Sequence, residues 1–157
     1  MAQDIKLIWD SAGMECDIDF DTEVNDIVYD EGLETAALMS LWSDKRADDD
    51  DAIDDQNDKR GWWGDLTVIE FTDQIGSKLW QVARGKTTAE TLVQAKQYIE
   101  EALEWMIEDG VAARITAEAE RSGPLLDRLY FKVSIYKNYG SVETFLFDLP
   151  WQKQFGG

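Results

Sequence analysis

The chain has 157 residues, 44% of them hydrophobic, with seven Trp, five Tyr and six Phe. That is enough to bury a core as one domain (1–157) and too aromatic for disorder. Thirty-three acids against 15 bases leave a net charge of −18, which disfavours nucleic acid and anionic membrane as partners. The lack of histidine excludes His bases, His ligands and Ser-His-Asp triads. A lone cysteine, Cys16, excludes an internal disulfide and suits a reducing compartment.

Met1-Ala2-Gln3-Asp4 lacks the basic and apolar regions of a signal peptide, and no apolar run reaches membrane-spanning length. The expectation is a soluble protein folded in cytoplasm. Ile5, Leu7 and Trp9 mark a first short strand, and Met14, Cys16, Ile18 and Phe20 alternate with acids as a second. Residues 26–29 add another extended piece. The stripe of Leu33, Ala37, Leu38, Leu41 and Trp42 predicts a helix over 33–42. Residues 43–60 lack an apolar period and hold eight aspartates, four of them consecutive at 48–51. They read as a solvated acidic loop, and deletion of 48–51 is expected to leave the fold intact.

Gly61-Trp62-Trp63-Gly64-Asp65 follows as a turn carrying two large rings. Adjacent tryptophans cannot share one face of a regular element, so at least one ring is expected in the core and the other is available to anchor a partner. Arg60 and Asp65 flank the pair and are placed to lock the turn through a salt bridge. An apolar segment (66–71) and a brief helix (77–83) come next. Thr87 and Glu90 match a capping box that opens a helix over about 88–109, stopped by Gly110. Three alternating strands end the chain. Val111, Ala113, Ile115, Ala117 and Ala119 mark the first; Leu129, Phe131, Val133 and Ile135 the second; Phe145, Phe147 and Leu149 the third. The order points to an α+β fold, an antiparallel and mainly C-terminal sheet packed against two or three helices. Tyr130, Lys132, Ser134 and Tyr136 form an outer face of mixed polarity. A free edge of this sheet would accept another protein's strand through main-chain hydrogen bonds, and whether that edge is covered stays open.

Carboxylates are the chemistry left to an enzyme, but an acidic surface offers them everywhere and names no pair. Cys16 among acids reads as a small buried hydrophobe. The aspartate run fails the EF-hand spacing, with Ala52 or Ile53 at the third ligand position. No cofactor, metal or catalytic residue is therefore assigned. A lysozyme-like hydrolase using a carboxylate pair and a cation-binding module on the Asp-rich loop remain as alternatives.

Four segments together carry a resemblance. They are Leu33-Glu34-Thr35-Ala36-Ala37-Leu38-Met39-Ser40-Leu41-Trp42-Ser43-Asp44-Lys45-Arg46-Ala47; Arg60-Gly61-Trp62-Trp63-Gly64-Asp65; Gly76-Ser77-Lys78-Leu79-Trp80 with Arg84 and Lys86; and Ala102-Leu103-Glu104-Trp105-Met106-Ile107-Glu108-Asp109-Gly110-Val111-Ala112. In this order they resemble the Mu-like phage baseplate protein family, itself similar to the sheath-initiating wedge proteins of contractile tails. The resemblance implies a structural virion protein, assembled in host cytoplasm and seated in the tail baseplate near the tube or hub. Its sheet edge would pair with arms of the first sheath subunits. Its partners would be the tail sheath protein and other wedge proteins, without nucleic acid or membrane. Asp44, Arg46, Arg60, Trp62, Trp63 and Asp65, with Tyr130, Lys132 and Tyr136 on the sheet, are the expected partner-binding residues.

Overall fold

The computed structural model describes residues 4–13, 15–30, 32–53, 55–64, 75–84, 88–124 and 127–150. Met14, Asp65, the segment 66–71, Lys86 and Thr87 lie outside the described residues. The architecture is α+β, as the order of periodicities predicted.

The N-terminal third is built of short antiparallel pieces: β1 (Asp4–Ile5) with β6 (Tyr29–Asp30), β2 (Leu7–Asp10) with β3 (Glu15–Ile18), and β4 (Phe20–Asp21) with β5 (Asp26–Ile27). Main-chain bonds among Lys6, Asp19 and Val28, each 2.9–3.0 Å, knit the pieces together. Leu7 and Trp9 from β2 reach the core. Trp9 stacks on Trp42 at 4.0 Å between centroids, nearly parallel, and its indole N–H donates to the Asp148 carbonyl at 2.9 Å. The apolar face read along β3 and β4 is not core: Ile18, Phe20 and Cys16 are exposed. These residues alternate as a half-buried strand should, yet no described element covers them. The Cys16 thiol is shifted upward by partial desolvation, not by neighbouring acids.

Helix α1 (Glu34–Trp42) buries Ala37, Leu38 and Leu41. It has no side-chain N-cap at Leu33. Instead, Asp30 Oδ2 accepts from Thr35 N–H at 2.8 Å, and Glu143 Oε2 accepts from Leu33 N–H at 2.9 Å. Helix α2 (Leu79–Arg84) buries Leu79, Val82 and Ala83 on one side. Helix α3 (Ala89–Ala102) opens one residue later than the sequence indicated, because a reciprocal pair of bonds between Thr88 and Thr91 forms the capping box. The single long helix is also divided. At Leu103 and Glu104 the bonding tightens to a three-residue span, and α4 (Trp105–Glu108) follows as a separate turn. Gly110 then ends it, with Val111 N–H bonded to the Met106 carbonyl at 2.8 Å.

The C-terminal sheet has the order β7 (Ala112–Ser122), β8 (Arg128–Lys137), β9 (Val142–Pro150), all antiparallel. Along β8, Leu129, Phe131, Val133 and Ile135 are fully buried, as their alternation required. On β7 the expected alternation slips. A bulge between Ala112 and Arg114 inserts Ala113, so Ala112 turns inward and Ala113 outward. α1 to α4 and the turn between α3 and α4 supply the other half of the core, including Leu38, Leu41, Ile99, Leu103 and Met106. Full burial of each such side chain contributes about 1.5–3 kcal/mol. Trp42 lies edge-on to Phe147, and its buried indole N–H has no partner among the described residues. No described helix is long and apolar enough to cross a membrane.

Candidate functional site

The segment after α1 is held by a short parallel bridge between Asp44 and Ser77. Ser77 N–H bonds to the Ser43 carbonyl at 2.9 Å, and Lys45 N–H to the Ser77 carbonyl at 3.0 Å. Gly76 makes this approach feasible. Its φ is +112°, and a Cβ there would sit 2.5 Å from the Ser43 carbonyl oxygen. Trp80 is buried against this bridge and donates its indole N–H to the Lys45 carbonyl at 2.9 Å.

Arg60 closes the next layer. Its guanidinium lies 4.8 Å over the Trp80 ring, and Nη1 donates to Asp44 Oδ2 at 2.7 Å. Asp44 and Arg60 are therefore partners of one another, and the expected Arg60–Asp65 lock lies outside the described residues. The turn that follows is held on this base with both rings outward. Trp62 is 42% exposed and Trp63 74%, their centroids 5.4 Å apart and tilted by 44°. The expectation of a core ring fails: both rings are exposed, and the buried tryptophan here is Trp80, beneath Arg60. Trp62 instead folds over Gly64, where a Cβ would lie 2.1 Å from the ring. Gly64→Ala should thus expel Trp62 from that perch. The expected result is a red-shifted tryptophan emission with a loss of about 1–3 kcal/mol, and an unchanged spectrum would show that the ring does not rest there.

The aspartate loop is fastened, not merely solvated. The Lys78 side chain is 7% exposed, and its ammonium meets Asp48 Oδ2 at 2.5 Å and Asp51 Oδ2 at 2.8 Å. Gln81 Nε2 donates to Asp51 at 3.0 Å, and Tyr98 O–H donates to Gln81 at 3.1 Å. Burial alone pulls the Lys78 pKa down, but hydrogen bonds to the two aspartates outweigh it and hold the group above its ordinary value. Burial likewise opposes ionisation of Asp51, and the bonds from Lys78 and Gln81 win, so its pKa is lowered. Asp48, Asp50 and Asp51 bring carboxylate oxygens within 4.8 Å of one another, and the Lys78 ammonium already neutralises two of them. Asp49, fully exposed, is lowered by its hydrogen bond and charge interaction with Lys59.

A hydrolase needs a carboxylic acid held above its usual pKa. Among the described residues, Asp49 and Asp51 are instead held below the ordinary carboxylate value by their lysine partners. A cavity of about 580 Å³ lies beside α1, lined by Ile5, Leu7, Ile18, Met39 and Trp105 among others, with Asp4 as its acid among the described lining residues. That lining is mainly apolar and holds no acid pair among the described residues.

The sheet has two unequal edges. On β7, the Ala117 N–H points away from β8 and donates to Glu100 Oε1 of α3 at 3.2 Å. On β9, the Asp148 carbonyl points outward to Trp9. The unbroken register then directs the main-chain groups of Leu146 and Thr144 outward as well. Neither has a main-chain partner across that edge among the described residues, and Leu146 is 58% exposed. Tyr130, Lys132 and Tyr136 lie on β8, the central strand, where both ladders are occupied. They offer side chains on the sheet's outer face: Arg114 stacks on Tyr136 at 4.0 Å and Lys132 Nζ bonds Glu118 at 3.2 Å.

Sequence reasoning missed Lys78, Glu100 and Glu143. Lys78 alone left a trace, a cation just before an apolar helix in an acidic chain. Glu143, which caps Leu33 and pairs with Lys137, had no local signal.

Residues 33–142 match the profile of a family described as phage protein GP46. The baseplate protein gp46 of Escherichia phage Mu is 43% identical over 98 residues, covering 61% of this chain and 65% of the relative. The Mu-like prophage FluMu protein gp46 of Haemophilus influenzae is 33% identical over 148 residues, 94% of this chain and 97% of its own length.

Proposed function

The chain belongs to the phage protein GP46 family of Mu-like phages, and from that premise we propose that it is a structural baseplate component that anchors or initiates the tail sheath. It does so by accepting a partner strand on the outer edge of β9. The observation that carries this reading is the outward main chain of β9: Trp9 takes the Asp148 carbonyl, while the outward groups of Thr144 and Leu146 have no main-chain partner among the described residues. Strand addition uses such unpaired main-chain groups for affinity, and exposed side chains for register.

The whole chain acts as one unit of the tail, with no catalytic role, in the virion after assembly in host cytoplasm. Its partners are the sheath protein and neighbouring wedge proteins, with the tube or hub nearby. Tyr130, Lys132 and Tyr136 flank the added strand on the outer face. Asp44, Arg46, Arg60, Trp62, Trp63 and Asp65 meet a wedge neighbour.

A proline at an outward-facing edge position removes a donor that the fold does not use. Thr144→Pro should therefore melt within a few degrees of the parent and fail to seed sheath tubes when mixed with the sheath protein encoded beside it. Electron microscopy and light scattering read the result. Tubes seeded at the parental rate would refute acceptance on β9.

A further inference from the structure

The cavity beside α1 takes no part in strand addition on β9. Ile5 of β1, Ile18 of β3, Met39 of α1 and Trp105 of α4 meet around it, each left 37–50% exposed. Apolar side chains from four elements converging on one opening mark an interaction site, unlike single apolar residues scattered over a surface. Its walls are held by internal hydrogen bonds. The Thr35 hydroxyl accepts from Leu7 N–H at 3.1 Å and donates to the Ile5 carbonyl at 3.0 Å. The Ser40 hydroxyl accepts from the Trp105 indole N–H at 3.0 Å and donates to the Ala36 carbonyl at 2.9 Å.

With both hydroxyls engaged, Asp4 is the charged group that the described lining offers to an occupant. Its carboxylate has no hydrogen bond or ion pair among the described residues. It stands directly across the β1–β6 ladder from Asp30, whose two oxygens accept from the N–H groups of Gly32 and Thr35. Like charges directly opposite one another are unfavourable, and a cation against Asp4 would relieve the pair. The lining elements supply none. The charged residues of β1, β2, β3, α1 and α4 are Asp4, Asp10, Glu15, Asp17, Glu34 and Glu108, all acids. Lys6, between β1 and β2, is held by Asp19 at 3.5 Å. An apolar opening in a field of one sign is complementary to an apolar segment that carries Lys or Arg. A second copy is disfavoured, because each copy brings a charge of −18.

We propose that this cavity is a docking site for a segment of another tail polypeptide, one that seats apolar side chains among Ile18, Met39 and Trp105 and sets a Lys or Arg against Asp4. The proposal rests on the tail-assembly reading above but not on strand addition. The walls are already bonded to one another, so docking orders little of this chain, and the occupant's apolar side chains supply the affinity. The cation at Asp4 selects the partner by charge.

The test places the photocrosslinker p-benzoylphenylalanine at position 39 in the full chain, produced within assembling tails. Purified tails are irradiated and adducts sequenced by mass spectrometry. The expected adduct joins position 39 to a different tail protein, close to a Lys or Arg. Asp4→Lys should then lower incorporation into tails by about tenfold, the scale of a hot-spot contact. Its melting temperature should hold or rise, because the substitution sets opposite charges across the ladder at Asp30. A purely structural role for Asp4 would not separate the two readouts in this way. Replacing the mapped partner cation by Glu should restore incorporation. Four results would each overturn the proposal: adducts confined to this chain or its copies, no protein adduct, normal incorporation of Asp4→Lys, or failure of the charge swap to rescue. Thr144→Pro separates the two readings. If it assembles normally while Asp4→Lys does not, strand addition on β9 is wrong and the docking site stands. The reverse pattern overturns the docking site and leaves strand addition in place.

Discussion

Converting Asp48 and Asp51 together to asparagine should destabilise the fold by about 3 kcal/mol, the lower range for stranding one member of a buried ion pair. At this chain length that is a drop of roughly 6–12 °C in Tm. Asparagine keeps an acceptor for Gln81 and removes only the charge, so the loss reports the buried Lys78 side chain, 7% exposed, left without a counter-ion. Asp50→Asn, at an exposed neighbour, should change Tm by no more than a degree or two. Adding Lys78→Met to the double variant should recover most of the loss, because an apolar side chain of similar volume needs no partner. Thermal and urea unfolding of the four proteins checks this, and a double variant that melts with the parent would contradict the buried-pair assignment.

The same cluster sets a pH dependence of definite sign. Asp51 is lowered from its ordinary value of 3.8, so its contribution is full above that value and is lost as the pH falls through the folded pKa. Lys78 is raised from 10.5. Its contribution is full below 10.5 and fades only as the pH rises through the folded value. Between these limits the clamp's contribution is flat with pH. In the double asparagine variant the acid-side loss attributable to Asp51 should vanish.

The second large effect is Val133→Pro, expected to cost about 4 kcal/mol, enough to leave the chain largely unfolded if its stability is ordinary. Ala117 points its N–H outward to Glu100, so Val133, its partner across β7–β8, turns its main-chain groups toward Phe145 of β9. Proline removes that ladder donor at a position where the side chain is fully buried. Circular dichroism and one-dimensional NMR of Val133→Pro should show loss of the cooperative fold, whereas Thr144→Pro, eleven positions on, keeps it. The contrast isolates the direction of one N–H group. A folded Val133→Pro variant would mean the β8 register is wrong.

Much of the architecture was legible in short-range pattern. The period of two along Leu129, Phe131, Val133 and Ile135 places a strand with one buried face, and the stripe through Ala95, Ile99 and Ala102 places α3. The family resemblance was equally readable, since it rests on the residue string through Trp62 and Trp63 and its order with three others. These signals are local because side-chain direction follows backbone period within a few residues.

What the tertiary structure alone decided depends on which distant element covers a group. Trp80 rather than Trp62 is buried, with Arg60 over its ring and bonded to Asp44, 16 positions away. Cys16 stayed exposed because no described element packs on β3. The aspartates at 48 and 51 became a clamp because Lys78, about 30 positions away, is buried beside them. The outward Ala117 N–H of β7 found its acceptor in Glu100, 17 positions away on α3. In these cases the local pattern did not give the role, which was set by what does or does not lie against the residue in space. Burial and pairing energies act between neighbours in space, which sequence spacing does not encode.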